Sequence, residues 1–366
     1  MRQTGNEVDA RNVGGDAGSP QAGPATGSAL PVMPTTERTE PNRTTATGAR
    51  VLGLLSRSYL FVFLALTIVI GSALSPFFFT TSNLNNIMLS SSIISVLAVA
   101  QFMVIVTAGI DLSVGSVSAL ATVMAALLLR REVPLPVAIA GTLAVCALAG
   151  LINGGLIVYG RITPFIATLA MLSIARGVAY LIQTGTLIVI ENDRFLKLFA
   201  GQIGSIPHPV VIFLLVTAVS AFVMRYTGYG RRLYAIGGNA EAARLSGLPV
   251  RRDILTVYTA SGFLAGLAGL MLAGQLSQGS SLVGQGYELD SIAAAVVGGT
   301  SLFGATGDPI SSVVGGLIIA TIGNIMNLRG IPSEPQLVIR GLLILIAVFF
   351  TGGGGARILQ AVRRSR

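Results

Sequence analysis

Cysteine and histidine are almost missing from this 366-residue chain, which has one of each, Cys146 and His208. A single cysteine excludes a disulfide within the chain. One histidine and one cysteine cannot build a His–Cys metal cluster or a thiol dyad. His208 sits beside prolines and reads as an ordinary loop residue. Charge is also scarce, at 11% of residues, where soluble domains carry about 25%. That is too little to coat a water-soluble globule. No GxxxxGK[ST] phosphate loop occurs, so the chain is not expected to hydrolyse ATP itself. No Ser/His/Asp, Cys/His or metal constellation supports a membrane enzyme. The net charge of +9 comes without the aromatic–basic interleaving used to stack bases, so nucleic acid is not an expected partner. No bound cofactor is expected either.

What is present is apolar residues, 52% of the chain. A crossing needs about 20 of them in a row. Ten stretches qualify: 59–79, 87–108, 112–129, 135–158, 164–183, 209–224, 254–276, 287–303, 309–328 and 335–351. The expected fold class is an all-α polytopic membrane protein of about ten transmembrane helices, some of them broken. The pair 87–129 is interrupted only by "GIDLSVG", and 287–303 carries Glu288 and Asp290. Residues 1–50 are rich in Gly, Pro, Thr, Ala and Ser and cannot bury enough surface to fold, so they read as a disordered tail. They lack the apolar core of a signal peptide, which makes the first span an uncleaved anchor. The membrane domain is expected at 51–355, with a basic tail at 356–366.

Arginines set the orientation. Six precede the first span (Arg2, Arg11, Arg38, Arg43, Arg50, Arg57) and six fall in 225–253 (Arg225, Arg231, Arg232, Arg244, Arg251, Arg252). Arg161 follows the fourth span, and Arg357, Arg363, Arg364 and Arg366 end the chain. Ten crossings with both termini in the cytoplasm put all of these on one side. Two stretches also look alike: "NGGLIVYGRITPFIATL" from Asn153 and "NIMNLRGIPSEPQLVI" from Asn324. "IDLS" at Ile110 has a looser echo in "ELDS" at Glu288. The offset corresponds to five spans. An odd number inverts the second copy, so an inverted repeat of spans 2–5 and 7–10 is expected.

Acids at membrane depth are costly and have a reason. Asp111 reads either as the N-cap of the next helix or as part of a discontinuous helix on a transport path. Arg176 and Arg340 interrupt spans and can snorkel, pair with an acid or face a cavity. Gly298–Gly299 points to a broken or tilted helix, with Pro309 in the first turn of the next. Gly150/Gly154 and Gly262/Gly266 have the spacing that lets helices approach closely. Candidate pathway residues are Gln101, Asp111, Ser113, Asn153, Thr168, Gln275 and Asp290, each also able to serve as an ordinary interhelical hydrogen bonder.

The loop 225–253 contains "GGNAEAARLSGLPVRR". Asn239 is a good N-cap, Glu241 suits the helix N-terminus, and Glu241 and Arg244 are placed to pair. Gly247 fits the C′ position and Pro249 stops the helix. Ala240, Ala243 and Leu245 complete a helix of about two turns. It reads either as an ordered loop whose arginines set topology or as a docking helix.

At this point the chain resembles the permease subunit of the ATP-binding-cassette importers for monosaccharides, nearest the ribose type. The matching pieces are "TAGIDLSVGSVSALA", "NGGLIVYGRITPFIATLAML", "AIGGNAEAARLSGLPV" and "ELDSIAAAVVGGTSLFGATGDP". The resemblance covers about residues 55–350. It implies a pore of two permease copies, identical or paralogous, in a bacterial inner membrane. It also implies a partner ATPase subunit that uses the ATP and a periplasmic sugar-binding protein. In that family the cytoplasmic loop carries the coupling helix, which maps onto Asn239 to Gly247. This chain departs from the family in its longer N-terminal tail and in Ala305, where glycine is more common. The competing expectation is a stand-alone ion-coupled secondary transporter of a small polar solute.

Overall fold

Proline and short polar side chains mark where the helices start. Thr80 accepts from the Asn83 N–H, Asp308 accepts from the Ser311 N–H, and Pro164 and Pro309 open their helices. The computed structural model describes residues 43–351. The chain divides into two units, Met1–Ala49 and Arg50–Arg366. The first contributes only the opening residues of a helix to the described part; the second contains everything that follows.

The elements in order are α1 (Arg43–Leu74), α2 (Thr81–Val106), α3 (Val114–Arg130), α4 (Leu135–Val158), α5 (Pro164–Gln183), β1 (Ile188–Val189), α6 (Asp193–Ala200), β2 (Gln202–Ile203), β3 (Ile206–Pro207), α7 (His208–Tyr226), α8 (Gly228–Gly238), α9 (Ala240–Leu245), α10 (Val250–Leu276), β4 (Gln278–Gly279), α11 (Tyr287–Val297), α12 (Pro309–Leu328) and α13 (Ser333–Thr351). The two-residue strands pair antiparallel, β1 with β4 and β2 with β3. Six described helices, α2, α4, α5, α7, α10 and α12, are long and apolar enough to cross a membrane, while the apolar parts of α1 and α3 are shorter.

Several boundaries differ from the expected ones. α1 already begins at Arg43, inside the stretch read from composition as tail, and ends at Leu74 before the expected 79. Most of that tail, and the basic 356–366 tail, lie outside the described residues. α2 starts at Thr81 rather than 87 because Thr80 caps it. The stretch 287–303 is not one crossing helix. α11 stops at Val297 after 11 residues, roughly 16 Å of the 30 Å needed. Gly299, at φ +87°, ends it: its N–H donates to the Val296 carbonyl (2.8 Å) and the Thr300 N–H to the Ala295 carbonyl (2.9 Å), while Gly298 packs on α12, where an added Cβ would fall 2.6 Å from Ser312 Cα.

Small residues set the helix crossings. A Cβ on Gly262 of α10 would lie 2.9 Å from the Gly150 nitrogen of α4, and Gly154 meets Leu255 at 3.1 Å. Gly316 of α12 sits 3.0 Å from Ser95 Oγ of α2 in the same sense. The packing has a recurrent pattern: α4 lies on α10 as α12 lies on α2, α5 on α3 as α13 on α11, and α3 on α10 as α11 on α2. α2 is buried without a break from Ser91 to Val106. The outer faces of α5 and α7 show Leu181, Leu215 and Phe222, as a lipid-facing surface does.

Two segments fold back into the bundle. After α2 the chain turns at Ala108 (φ +62°) and α3 starts beside the middle of α10, where Ser118 Oγ lies 2.9 Å from the Ala265 carbonyl. After α10 it turns at Ser277 (φ +54°) and runs back through Gly284 and Gly286, both at positive φ, into α11. The starts of α3 and α11 abut. A Cβ on Gly115 would collide with the Gly284 carbonyl and the Glu288 carboxylate.

Candidate functional site

Polar side chains gather in three places. The first is the α2–α3 break. Asp111 Oδ1 accepts from the Ser113 N–H (2.9 Å) and Ser113 Oγ (2.6 Å), and Oδ2 accepts from Ser261 Oγ of α10 (2.7 Å). Asn153 Nδ2 of α4 donates to Ser113 Oγ (3.0 Å). Thr168 Oγ1 of α5 reaches the Ile110 carbonyl at 3.2 Å. With its amide oriented to suit, Gln101 donates to the Asp111 carbonyl (3.0 Å) and accepts from its N–H (3.2 Å). Five of the seven sequence-predicted pathway residues thus meet around one turn, and all five are buried. Asp111 is not the N-cap of α3. Ser113 holds that position without a side-chain cap bond, and Asp111 closes the turn two residues earlier.

The second place is a cavity of about 380 Å³ among α2, α10, α11, α12 and α13. Asn83, Asn86 and Ser90 enter it from α2, Gln275 from α10, Tyr287 and Asp290 from α11, Asn324 and Asn327 from α12, and Arg340 from α13. Asn83 and Asn324 exchange hydrogen bonds (3.1 and 2.7 Å), and Asn327 Oδ1 accepts from Gln336 (2.9 Å). Arg340 Nη1 donates to Asp290 Oδ2 at 2.9 Å, with the carboxylate almost fully buried. The cavity therefore takes the remaining two predicted pathway residues, Gln275 and Asp290. Sequence reasoning passed over Asn83 and Asn86 because they precede the expected start of their span. The signal was the amide-rich "NLNN" stretch. Arg176, the other intramembrane arginine, contacts carbonyls instead: its Nη1 donates to Ser281 (2.5 Å) and Val283 (2.6 Å), holding the folded-back segment before α11. Gln183 Oε1 and Thr122 Oγ1 also hold it, accepting from the Ser281 and Ser280 N–H groups.

The third place is α9. Asn239 Oδ1 accepts from the Ala242 N–H (2.9 Å). At the other end Gly247, at φ +81°, donates to the Arg244 carbonyl (3.0 Å) and Leu248 donates to the Ala243 carbonyl (3.1 Å). This double closure is a Schellman end. Ala243 turns inward, while Glu241, Arg244 and Leu245 are exposed, Leu245 by 74%. Arg244 bonds both Glu241 oxygens, and these hydrogen bonds hold the Glu241 carboxyl below its ordinary range. A shallow groove lies alongside, walled by Tyr159, Leu248, Pro249 and Leu255 and edged by Arg251 and Arg252. α8 braces this region. Arg232 forms a two-bond pair with buried Asp253 of α10 (2.6 and 3.0 Å), which raises the arginine further above its ordinary pKa. Gly237 packs on the Val106 carbonyl at the end of α2, and Tyr234 donates to the Gly307 carbonyl (3.0 Å).

Among known proteins the chain is 41% identical to the ribose import permease protein RbsC of Escherichia coli (strain K12), across 78% of this chain and 90% of that one. It is 39% identical to the D-allose transport system permease protein AlsC of the same strain (79% and 89%). It is 36% identical to the L-arabinose ABC transporter permease protein AraH of Azospirillum brasilense (86% and 94%). No solved structure matches it. Residues 83–348 match the model described as branched-chain amino acid transport system / permease component, and the chain belongs to that family of transport permeases.

Proposed function

We propose that this chain is the pore-forming permease subunit of an ATP-driven importer, moving a monosaccharide such as ribose across a bacterial inner membrane. Its relatives are named for ribose, allose and arabinose transport. In this reading a partner ATPase supplies the energy, a periplasmic binding protein delivers the sugar, and two permease copies form the pore. The chain crosses ten times with both termini cytoplasmic. α11 and the segment before it together make one crossing, and spans 2–5 and 7–10 form the two halves of an inverted repeat. The recurrent helix pairing supports that repeat.

One observation carries the mechanism: the bracing of α9. α8 ties the exposed Asn239–Gly247 peg to the ends of α2 and α10 and to the loop after α11. Closure of an ATPase on the peg would therefore move α11, which contributes Asp290 to the cavity. Alternating access then follows from shifting the half-helices against the rest of the bundle, with Gln101, Asp111, Ser113, Asn153 and Thr168 holding the α2–α3 break as it moves. Reconstitution with the partner ATPase and the sugar-loaded binding protein tests this. Gly247→Val, and Glu241→Ala with Arg244→Ala, are expected to leave ATP hydrolysis running while uptake falls at least tenfold. Normal coupled uptake by assembled variants would overturn the peg. Uptake by the chain alone, driven by an ion gradient, would overturn the ATP-driven reading.

A further inference from the structure

We propose that the Asp290–Arg340 pair reads two adjacent hydroxyls of the transported sugar, with Gln275, Asn86 and Ser90 completing the contact. This rests on the sugar-importer reading above.

At the α2–α3 break, Asp111 receives bonds on both carboxylate oxygens from protein donors. That carboxylate is committed to holding the turn, although Asn153 Oδ1 beside it lacks a donor. The cavity is different. Asp290 gives Oδ2 to Arg340, and no described residue donates to its Oδ1. A carboxylate accepts up to about four bonds and a guanidinium donates five, so one shared bond leaves most of the capacity of both unused. Gln275, Asn86 and Ser90 also line the cavity without a side-chain hydrogen bond to another described residue. Gln275 and Ser90 are half-buried and Asn86 is exposed, so all three are open to a ligand, and a charged pair inside an apolar bundle is expensive unless something uses it.

The chemistry of these groups selects the ligand. An acceptor and a fork of donors side by side suit neighbouring hydroxyls: Asp290 Oδ1 accepts from one and Arg340 donates to the oxygen of the next. Gln275 and Asn86 can each donate and accept, which is what further hydroxyls need. Ile94, Ile319, Ala320 and Tyr287 supply apolar wall for the C–H face of a ring. At about 380 Å³ the cavity is at the small end of ligand pockets, which run roughly 300–1,000 Å³. That admits one ring and its water.

Binding of radiolabelled D-ribose to the purified full chain tests the proposal, with ribose analogues lacking one ring hydroxyl at a time as competitors. Asp290→Asn combined with Arg340→Gln removes both charges together and leaves no orphaned ion. The double variant is expected to bind D-ribose about tenfold to a hundredfold more weakly. It is also expected to lose the preference of the native chain for ribose over at least one of the deoxy analogues, a change that general loosening would not produce. Gln275→Leu, which breaks no side-chain hydrogen bond among the described residues, is expected to weaken binding several-fold. Leu181→Ala, on the outer face of α5, is expected to match the native chain. Native affinity and native analogue preference in the double variant would overturn the proposal. If that variant does not fold, unchanged affinity in Gln275→Leu overturns it. Should the assembled complex import ribose with every cavity variant indistinguishable, this inference falls and the importer reading stands. Should the native chain neither bind nor, in its complex, transport any of the three sugars, the importer reading falls first.

Discussion

Replacing Asp111 by alanine separates support of the backbone from contact with substrate. The carboxylate accepts three hydrogen bonds, from the Ser113 N–H, Ser113 Oγ and Ser261 Oγ, all in a buried site. Alanine leaves one amide and two hydroxyls to find other acceptors. Each orphaned donor costs about 1–3 kcal/mol. Part of this is recovered by rotating hydroxyls, so a loss of roughly 3–6 kcal/mol is expected. Asparagine is the informative companion. Its Oδ1 keeps both Ser113 bonds, and its Nδ2 can donate to Ser261 once that hydroxyl turns, so the expected loss is about 1 kcal/mol. Thermal unfolding of the detergent-purified chain, followed by loss of the monodisperse species on heating, should therefore rank native and Asn close together with Ala far below. Uptake in membranes should follow the amount of folded protein. An Asp111→Ala variant as heat-resistant as the native chain but inactive in uptake would refute the structural role and put Asp111 on the sugar path.

Two further outcomes are expected. Ala305 occupies φ +63°, a conformation that costs a non-glycine residue about 1–2 kcal/mol; Ala305→Gly should stabilise the chain by about 0.5–1 kcal/mol after the entropic cost of glycine, read as a higher unfolding temperature. Gly262→Leu should abolish folded protein in membranes because the atoms it meets are the Cys146 and Gly150 backbones, whereas Gly177→Leu, with nothing within 4 Å of its Cβ position, should express normally.

Much of this architecture could be read locally. The spans 135–158, 164–183 and 309–328 coincide with α4, α5 and α12, since prolines mark their starts. Both caps of α9 were legible for the same reason: Asn239 and Gly247 act on their own backbone neighbours. What could not be read depends on partners distant in sequence. The Gly298–Gly299 break was legible, and Gly299 at φ +87° ends α11, but the seat of the start of α11 against Gly115 of α3 was not. The seven pathway candidates were chosen as polar residues in apolar surroundings, a test blind to what each side chain bonds to. It could not divide the five that close on one another at the break from Gln275 and Asp290, which face a cavity. Nor could it supply Asn324 as the partner of Asn83, because their pairing joins opposite ends of the chain.

The folded-back segment before α11 is held by Arg176, Gln183 and Thr122, which belong to the first half of the chain. The turn before α3 is held in part by Ser261, which belongs to the second. Each half thus lends the other the anchor for its own interruption, like two clasped hands. A polypeptide cut at the exposed Gly204–Ser205 turn between β2 and β3 would yield fragments that need each other to mature. Co-expressed, they should reassemble into one bundle; made singly, each should be degraded. Swapping one half with that of a relative would then succeed only if these cross-anchors travel with it.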